Sequence, residues 1–250
     1  MYDLATRRHA LRLVASGRSL NSVSQETGIS RAALRAWRDR GVEPAGALAV
    51  TPLRTDGPAY AYLLGLYLGD GCLSAHRRGV YALRIACADD WPGLADACEQ
   101  AIREVRPGGS VFRVRKQGCA MITSMSKQWP AAFPQHGPGR KHERRIVLAS
   151  WQQQVVAAHP WEFIRGLFHS DGCRVTNWTE RVVRGVRKRY EYPRYFFTNT
   201  SADIRRLYTD ALDAVGVAWT EVRKRGDARN ISVARRESVA LMERHIGAKY

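Results

Sequence analysis

Between residues 1 and 40 the apolar positions fall at helical spacing. Leu4, Leu11 and Val14 stand amid Arg and Ala and predict a helix over residues 3–16 that stops near Gly17. In "SLNSVSQETGISRAALRAWRDRG" the pattern predicts a helix from Ser19 to Thr27, a turn at Gly28, and a further helix capped by Ser30 that runs to about Arg40. Leu20, Val23, Ile29, Leu34 and Trp37 supply its small core. From Gly41 to Pro58, "GVEPAGALAVTPLRTDGP" holds no sustained period and reads as a linker.

Beyond the linker a second pattern appears, and then appears again. An apolar helix over Pro58 to Gly69 leads into the alternating strands "CLSAH" and "VYALRIAC" and a helix from Trp91 to Val105. The strands "SVFRVRK" and "AMITSM" follow, turning at Gln117 and Gly118, and a last helix is expected from about Lys127. The later half carries the same landmarks in the same order. "GDGC" (Gly69–Cys72) matches "SDGC" (Ser170–Cys173), "CAD" (Cys87–Asp89) matches "SAD" (Ser201–Asp203), and "VRKQG" (Val114–Gly118) matches "VRKRG" (Val222–Gly226). The expected organisation is a helix-turn-helix unit over residues 1–45, a linker over 46–57, and two repeats over 58–147 and 148–250. The fold class is α+β.

Each repeated helix closes on an acid, Asp70 in "LLGLYLGDG" and Asp171 in "IRGLFHSDG". A carboxylate at the negative end of a helix is repelled by roughly 0.3–1 kcal/mol, so something must offset it. Small residues recur every four positions on both helices, Gly65 and Gly69 on the first and Gly166 and Ser170 on the second. A face of small residues lets two helix backbones approach closely. Two such helices side by side about a pseudo-twofold axis bring Asp70 and Asp171 together, with Gly71 and Gly172 expected to end the helices in the left-handed conformation. Two carboxylates at one seam call for a cation. Oxygen ligands alone favour a hard divalent ion, Mg²⁺ (or Mn²⁺), which fills its other positions with water and phosphate.

Charge points the same way. The formal net charge is +17 and the pI about 10.3, far beyond what solubility asks, so a polyanion is the natural partner. Nucleic acid is favoured over membrane because no basic amphipathic helix stands out. Five cysteines form no CxxC pair and read as reduced core residues. The N-terminus lacks the apolar block of a signal peptide, and the longest apolar run is too short to span a bilayer, so the expected location is intracellular.

These residues carry two resemblances. Residues 19–40 resemble the helix-turn-helix family, which would place Arg31, Ala32 and Arg35 on the outward face of a recognition helix. "LLGLYLGDG" and "IRGLFHSDG" look like the two signature copies of single-chain LAGLIDADG homing endonucleases, over about residues 58–250. That resemblance implies two αββαββα units with saddle-shaped antiparallel sheets lying in the DNA major groove. It also implies a monomer with internal pseudo-twofold symmetry and metal ligands at Asp70 and Asp171. Cleavage would leave 5′-phosphate and 3′-hydroxyl ends.

The chain departs from the family pattern in places. The earlier, frequent acid of the motif falls on Leu68 and His169. The basic residue expected before the second repeat falls on Arg144 in "KHERRIVL", with Lys141 nearby and Val147 in place of proline. Both are candidate catalytic residues, although arginine cannot shuttle a proton. Lys249 stands where the repeat puts Lys141.

Strand parity gives the candidate DNA contacts: Arg113, Arg115 and Lys116 in the first repeat, Arg223, Lys224 and Arg225 in the second. The basic segment Arg181–Arg194 reads as a long hairpin turning near Gly185 and adds Arg184, Arg187, Lys188 and Arg189. Its Tyr190 and Tyr192 pack either on backbone sugars or on the sheet. The expected activity is sequence-specific binding of double-stranded DNA with metal-dependent, site-specific cleavage. The alternative is a transcription regulator that uses the same body only to bind; an intein is disfavoured because no splicing cysteine or terminal His-Asn pair frames the body.

Overall fold

Asp3 accepts a hydrogen bond from the Thr6 amide at 2.7 Å and so starts α1 (Leu4–Ala15) of the computed structural model, which describes residues 2–40, 51–224 and 227–250. Ser19 caps α2 (Leu20–Thr27) in the same way, and Ser30 accepts from the Ala33 amide at the start of α3 (Arg31–Arg40). Gly28 makes the left-handed turn between them at φ 68°, a conformation that costs only glycine nothing. Ala10, Val23, Ile29 and Leu34 are fully buried, with Leu13, Val14, Leu20 and Trp37 packed against them. Leu4, one of the apolar positions that predict α1, is 37% exposed. At 100° per residue it stands roughly a third of a turn away from the Ala10, Leu13 and Val14 stripe.

The chain divides into two compact units, Met1–Thr51 and Pro52–Tyr250. Residues 41–50, which include the start of the expected linker, lie outside the described residues. Its later part belongs to the second unit: Leu53 packs against the main core and the Arg54 amide donates to the Val105 carbonyl at 2.8 Å.

Two four-stranded antiparallel sheets make the second unit α+β. The first is built from β1 (Gly71–Ala75), β2 (Tyr81–Ala88), β3 (Val111–Lys116) and β4 (Cys119–Ser126), in the order β1-β2-β4-β3. The other contains β5 (Gly172–Val183), β6 (Val186–Thr198), β7 (Thr220–Lys224) and β8 (Asp227–Val233), in the equivalent order β5-β6-β8-β7. Helix α4 (Pro58–Asp70) precedes the first sheet, and α5 (Pro92–Val105) joins its two hairpins. The short α6 (Trp129–Ala132) and α7 (Ser150–Ala158) lead to α8 (Pro160–Asp171), and α9 (Ala202–Ala214) and α10 (Arg236–His245) complete the unit. The helix expected from Lys127 is only four residues long. Pro134 disfavours helical backbone at Phe133, which sits at φ −127°, ψ 72°.

Helix α4 is buried from Tyr60 to Leu68 on every side, which explains why its sequence has no polar face. It packs on α8 at a seam where backbone meets backbone. A methyl on Gly65 would fall 2.6 Å from the Leu167 nitrogen and the Phe163 oxygen, and one on Gly166 would fall 2.1 Å from the Tyr62 oxygen. Trp129, Tyr60, Tyr67, Phe133, Phe163 and Phe168 fill the core around the seam. No helix among the described residues is long and apolar enough to cross a membrane.

Candidate functional site

The seam places Asp70 and Asp171 at the adjoining C-terminal ends of α4 and α8. A methyl on Gly69 would lie 2.0 Å from Ser170 Oγ and 2.7 Å from Asp171 Oδ2, so the second carboxylate leans directly over the first helix end. Asp70 is open to solvent, yet the surrounding protein still raises its carboxyl, with Lys249 and Lys141 pulling the other way. Asp171 is half-buried. Burial first, and then the charge of Asp70, push its carboxyl up to about 6. Among the described residues neither carboxylate has an ion-pair partner.

The helix ends are closed differently from expectation. Gly71 and Gly172 are extended, at φ −91° and −93°, and open the strands that follow. Their lack of a side chain serves close packing instead: a methyl would meet Tyr67 Cα at 2.5 Å and Phe168 Cδ2 at 2.1 Å. The Gly71 amide still donates to the Tyr67 carbonyl, and lysine reaches the carbonyls around each helix end. Lys141 Nζ donates to the carbonyls of Tyr67, Gly69 and Gly71, the last two at 2.8 Å, and lies 5.0 Å from the Tyr67 ring. Lys249 Nζ donates to the Ser170 carbonyl at 3.1 Å, the pseudosymmetric counterpart of Gly69. Burial lowers the Lys141 ammonium to about 8 against the pull of both aspartates, and it lowers Lys249 as well. Arg144 turns away and donates to the Gln135 carbonyl at 3.0 Å, its Nε buried without a partner.

Asp171 also has a support that the sequence did not disclose. Asn199 Nδ2 donates to Asp171 Oδ2 at 2.8 Å, while Asn199 Oδ1 accepts from the Ser201 amide at 2.8 Å and its carbonyl accepts from Arg205 at 2.6 Å. A hollow of about 260 Å³ opens beside these groups, lined by Gly69, Lys141, Asp171, Thr198 and Asn199. The register pairs Gly71 with Ile85 and Gly172 with Phe197, so the residue equivalent to Asn199 is Cys87, a buried thiol, which corrects the match of "CAD" with "SAD" that sets Cys87 against Ser201. Asp70 accepts no hydrogen bond among the described residues. The motif's remaining departures are both buried: Leu68 is core, and His169 accepts or donates at Nδ1 with the Tyr62 hydroxyl at 2.9 Å. Burial and the nearby Arg165 and Lys249 charges push that imidazole down to about 3.

A divalent cation fits this donor set. Two carboxylate oxygens face the seam, one raised by the charge of the other, and no ammonium is bonded to either. Among the described residues no group of three or more His, Cys, Asp or Glu gathers as a metal site, so the pair supplies two protein ligands at most.

The sheet faces correct the expected parity on β3. Arg113 donates to Asp96 at 2.5 Å and Glu99 at 2.8 Å on α5, so it lies on the helix side of the sheet, and alternation puts Arg115 there too. Arg113 and Arg115 pair across β4 with Ile122 and Ala120, on the core face. The face turned away from the helices instead carries Phe112, Val114 and Lys116, with Met121 and Thr123 of β4 and Arg84 of β2.

In the second repeat β5 and β6 form a hairpin that pairs all the way to Val183–Val186. Arg184 and Gly185 turn it with φ of 53° and 78°, the two positive angles that a two-residue hairpin turn demands. Only Tyr195 to Thr198 of β6 also pair with β8, so the rest is a two-stranded arm. Lys188, with Arg181 across from it, shares a face with Tyr190, Tyr192 and Arg194. Arg187 and Arg189 lie on the opposite face, where Arg189 stacks over the exposed Trp178 at 4.8 Å. The side chains of Arg223 and Lys224, and Arg225 altogether, lie outside the described residues. In the first unit Arg31, Ala32 and Arg35 are all exposed on α3.

Asn199, Arg205 and Lys249 are the neighbours of the two acids and their helix ends that sequence reasoning left unassigned. Lys249 had a signal, its repeat position opposite Lys141. Asn199 had none, because a long arm separates it from Asp171 in sequence.

No family model matches the chain. Over 105 residues it is 31% identical to 1D-myo-inositol 2-acetamido-2-deoxy-alpha-D-glucopyranoside deacetylase of Nocardia farcinica (strain IFM 10152), a match that covers 42% of this chain. The chain spans about a third of the length of that curated relative, 34%. Among solved structures it is similar to the homing endonuclease I-DmoI in complex with DNA and Mn, at 14% identity and a TM-score of 0.49, covering 77% of this chain and 98% of that one. It is also similar to the N-terminal LAGLIDADG domain of DUF199/WhiA, at 13% identity and a TM-score of 0.45, covering 79% and 87%.

Proposed function

We propose that the chain binds double-stranded DNA sequence-specifically and cleaves it at a centre formed by Asp70 and Asp171. The observation that carries this reading is the juxtaposition of two unpaired carboxylates at the ends of two helices packed backbone to backbone. Each acid opposes its own helix dipole, and Asp171 is further raised by Asp70 against the single hydrogen bond it accepts from Asn199. In this reading Asp70 and Asp171 hold Mg²⁺ or Mn²⁺ from the protein side. Bound there, such an ion supplies Lewis-acid stabilisation of the leaving oxygen and an activated water. Asn199 fixes the Asp171 carboxylate, and Lys141 and Lys249 hold the two helix ends in place. The exposed basic residues of the arm and α3 take the phosphates.

One observation favours a regulator that binds without cutting. Lys141 spends its protons on three carbonyls and Arg144 is turned to Gln135, so neither basic side chain is placed to move a proton. Cleavage therefore rests on the carboxylates. The test is to select bound duplexes from random DNA and incubate them with Mg²⁺ or Mn²⁺. The parent should cut, and Asp70→Asn or Asp171→Asn should abolish cutting while binding survives. A parent that binds its selected DNA but never nicks it leaves the regulator reading.

A further inference from the structure

The outward face of the first sheet is an unusual surface for a chain of net charge +17. Phe112 and Val114 are 44% and 43% exposed, and with Met121 and Met125 they floor a hollow of about 490 Å³. Arg84 and Lys116 stand at its margin, and no acid lines it. Arg84 is held in place by Ser74 Oγ at 2.8 Å and His76 at 3.4 Å. The adjoining turn adds the exposed Arg77 and Arg78. The floor is apolar and the rim cationic.

We infer that this hollow reads the methyl groups of a thymine-rich half-site. The inference rests on the DNA-binding reading above but not on cleavage. Duplex DNA offers a surface matching this one, because its major groove admits a two-stranded β-ribbon such as β3–β4 and presents one apolar group, the C5-methyl of thymine, between two rows of phosphate. The apolar floor takes the methyls, and the cationic margin takes the phosphates. The corresponding face of the second sheet is built otherwise: Val175, Phe196, Tyr190 and Tyr192 stand there among the cations Arg181, Lys188 and Arg194, and Arg194 covers the Tyr192 and Phe196 rings, so its half-site is read mainly by charged groups. The two halves of the target therefore differ in kind, with methyl recognition confined to the half under the first sheet.

The test uses the full chain and a duplex selected from random DNA. Thymines are replaced one at a time by deoxyuridine, which removes only the methyl. Each thymine seated on the hollow should lose about fourfold in affinity, the size expected for one buried methyl, and thymines of the other half should lose nothing. Phe112→Ser and Val114→Ser alter half-exposed surface residues and should leave the fold intact, as checked by the unfolding midpoint. They should weaken binding of the thymine duplex and leave the deoxyuridine duplex bound as before. Equal binding of thymine and deoxyuridine duplexes overturns the inference and keeps the DNA-binding reading. So does a deoxyuridine penalty that both serine variants retain, or one spread evenly over both halves. Failure to recover any bound duplex removes the DNA-binding reading itself.

Discussion

The two repeats agree where backbone touches backbone and disagree where side chains meet solvent. At the seam, Gly65 and Gly166 are equivalent, each closing on main-chain atoms of the other helix, and Asp70 and Asp171 end their helices alike. Around them symmetry fails. Lys141 ties three carbonyls and Lys249 one; Asn199 supports Asp171 where buried Cys87 leaves Asp70 without a hydrogen bond. The first hairpin has strands of five and eight residues, the second of twelve and thirteen. The lesson is that a close backbone contact tolerates one residue type, whereas a surface that reads a partner is free to diverge.

The largest effect should come from breaking the shared part. Gly166→Ala puts a methyl 2.1 Å from the Tyr62 oxygen, and Gly65→Ala puts one 2.6 Å from two main-chain atoms, so the helices must separate in either case. Each should cost about 3 kcal/mol or more of unfolding free energy, at the upper end for overpacking. Urea denaturation reads this directly. A loss below about 1 kcal/mol in both variants would show that the seam yields easily and that its glycines are not what keeps the repeats alike.

The lysines sharpen the unshared part. Lys141→Met removes three hydrogen bonds around the end of α4, of whose acceptors Tyr67 keeps the Gly71 amide, and should cost about 2 kcal/mol, given about 1.5–3 kcal/mol for hydrogen bonds to charged groups less the recovered cost of burying the ammonium. Lys249→Met removes one bond and should cost about 1 kcal/mol or less. Equal losses would mean that the asymmetry in bonding has no energetic counterpart.

How much of this was legible in the sequence follows from the same division. The seam was readable because the four-residue spacing of Gly65 and Gly69, and of Gly166 and Ser170, is a local pattern tied to one steric requirement. The strands were readable by alternation, and the arm by its turn at Gly185. The face of β3 was not. Alternation says that Arg113 and Arg115 point the same way, but only the packing of α5, with Asp96 and Glu99 waiting there, says which way. The glycines after each acid misled because Gly at a helix end commonly takes a positive φ, whereas here a strand begins at once and crowding against Tyr67 and Phe168 sets the residue type. Asn199 was invisible because the chain travels the whole arm before returning to Asp171.

An effect no larger than that of Lys141→Met concerns the acids themselves, and it separates a metal centre from an ordinary helix end. The carboxyl of Asp171 is raised to about 6 in the folded protein against 3.8 for the free group, so the folded state holds its proton more tightly than the unfolded state does. Stability from this group is therefore full below about pH 4 and falls as pH rises through 6, and at pH 7 the ionised form is a net cost. Asp171→Asn should accordingly be more stable than the parent at pH 7 without metal, by about 1–2 kcal/mol once partial solvent screening is allowed for. Asp70→Asn should gain less, because Asp70 is exposed and its shift smaller. Both gains should vanish at pH 4. Adding Mg²⁺ at pH 7 should stabilise the parent and neither variant, because a cation that binds only the folded pair adds its binding free energy to folding. If Asp171→Asn is instead less stable than the parent at pH 7, the carboxylate contributes to the fold through its Asn199 bond, and the two acids lose their mark as a pair kept for chemistry.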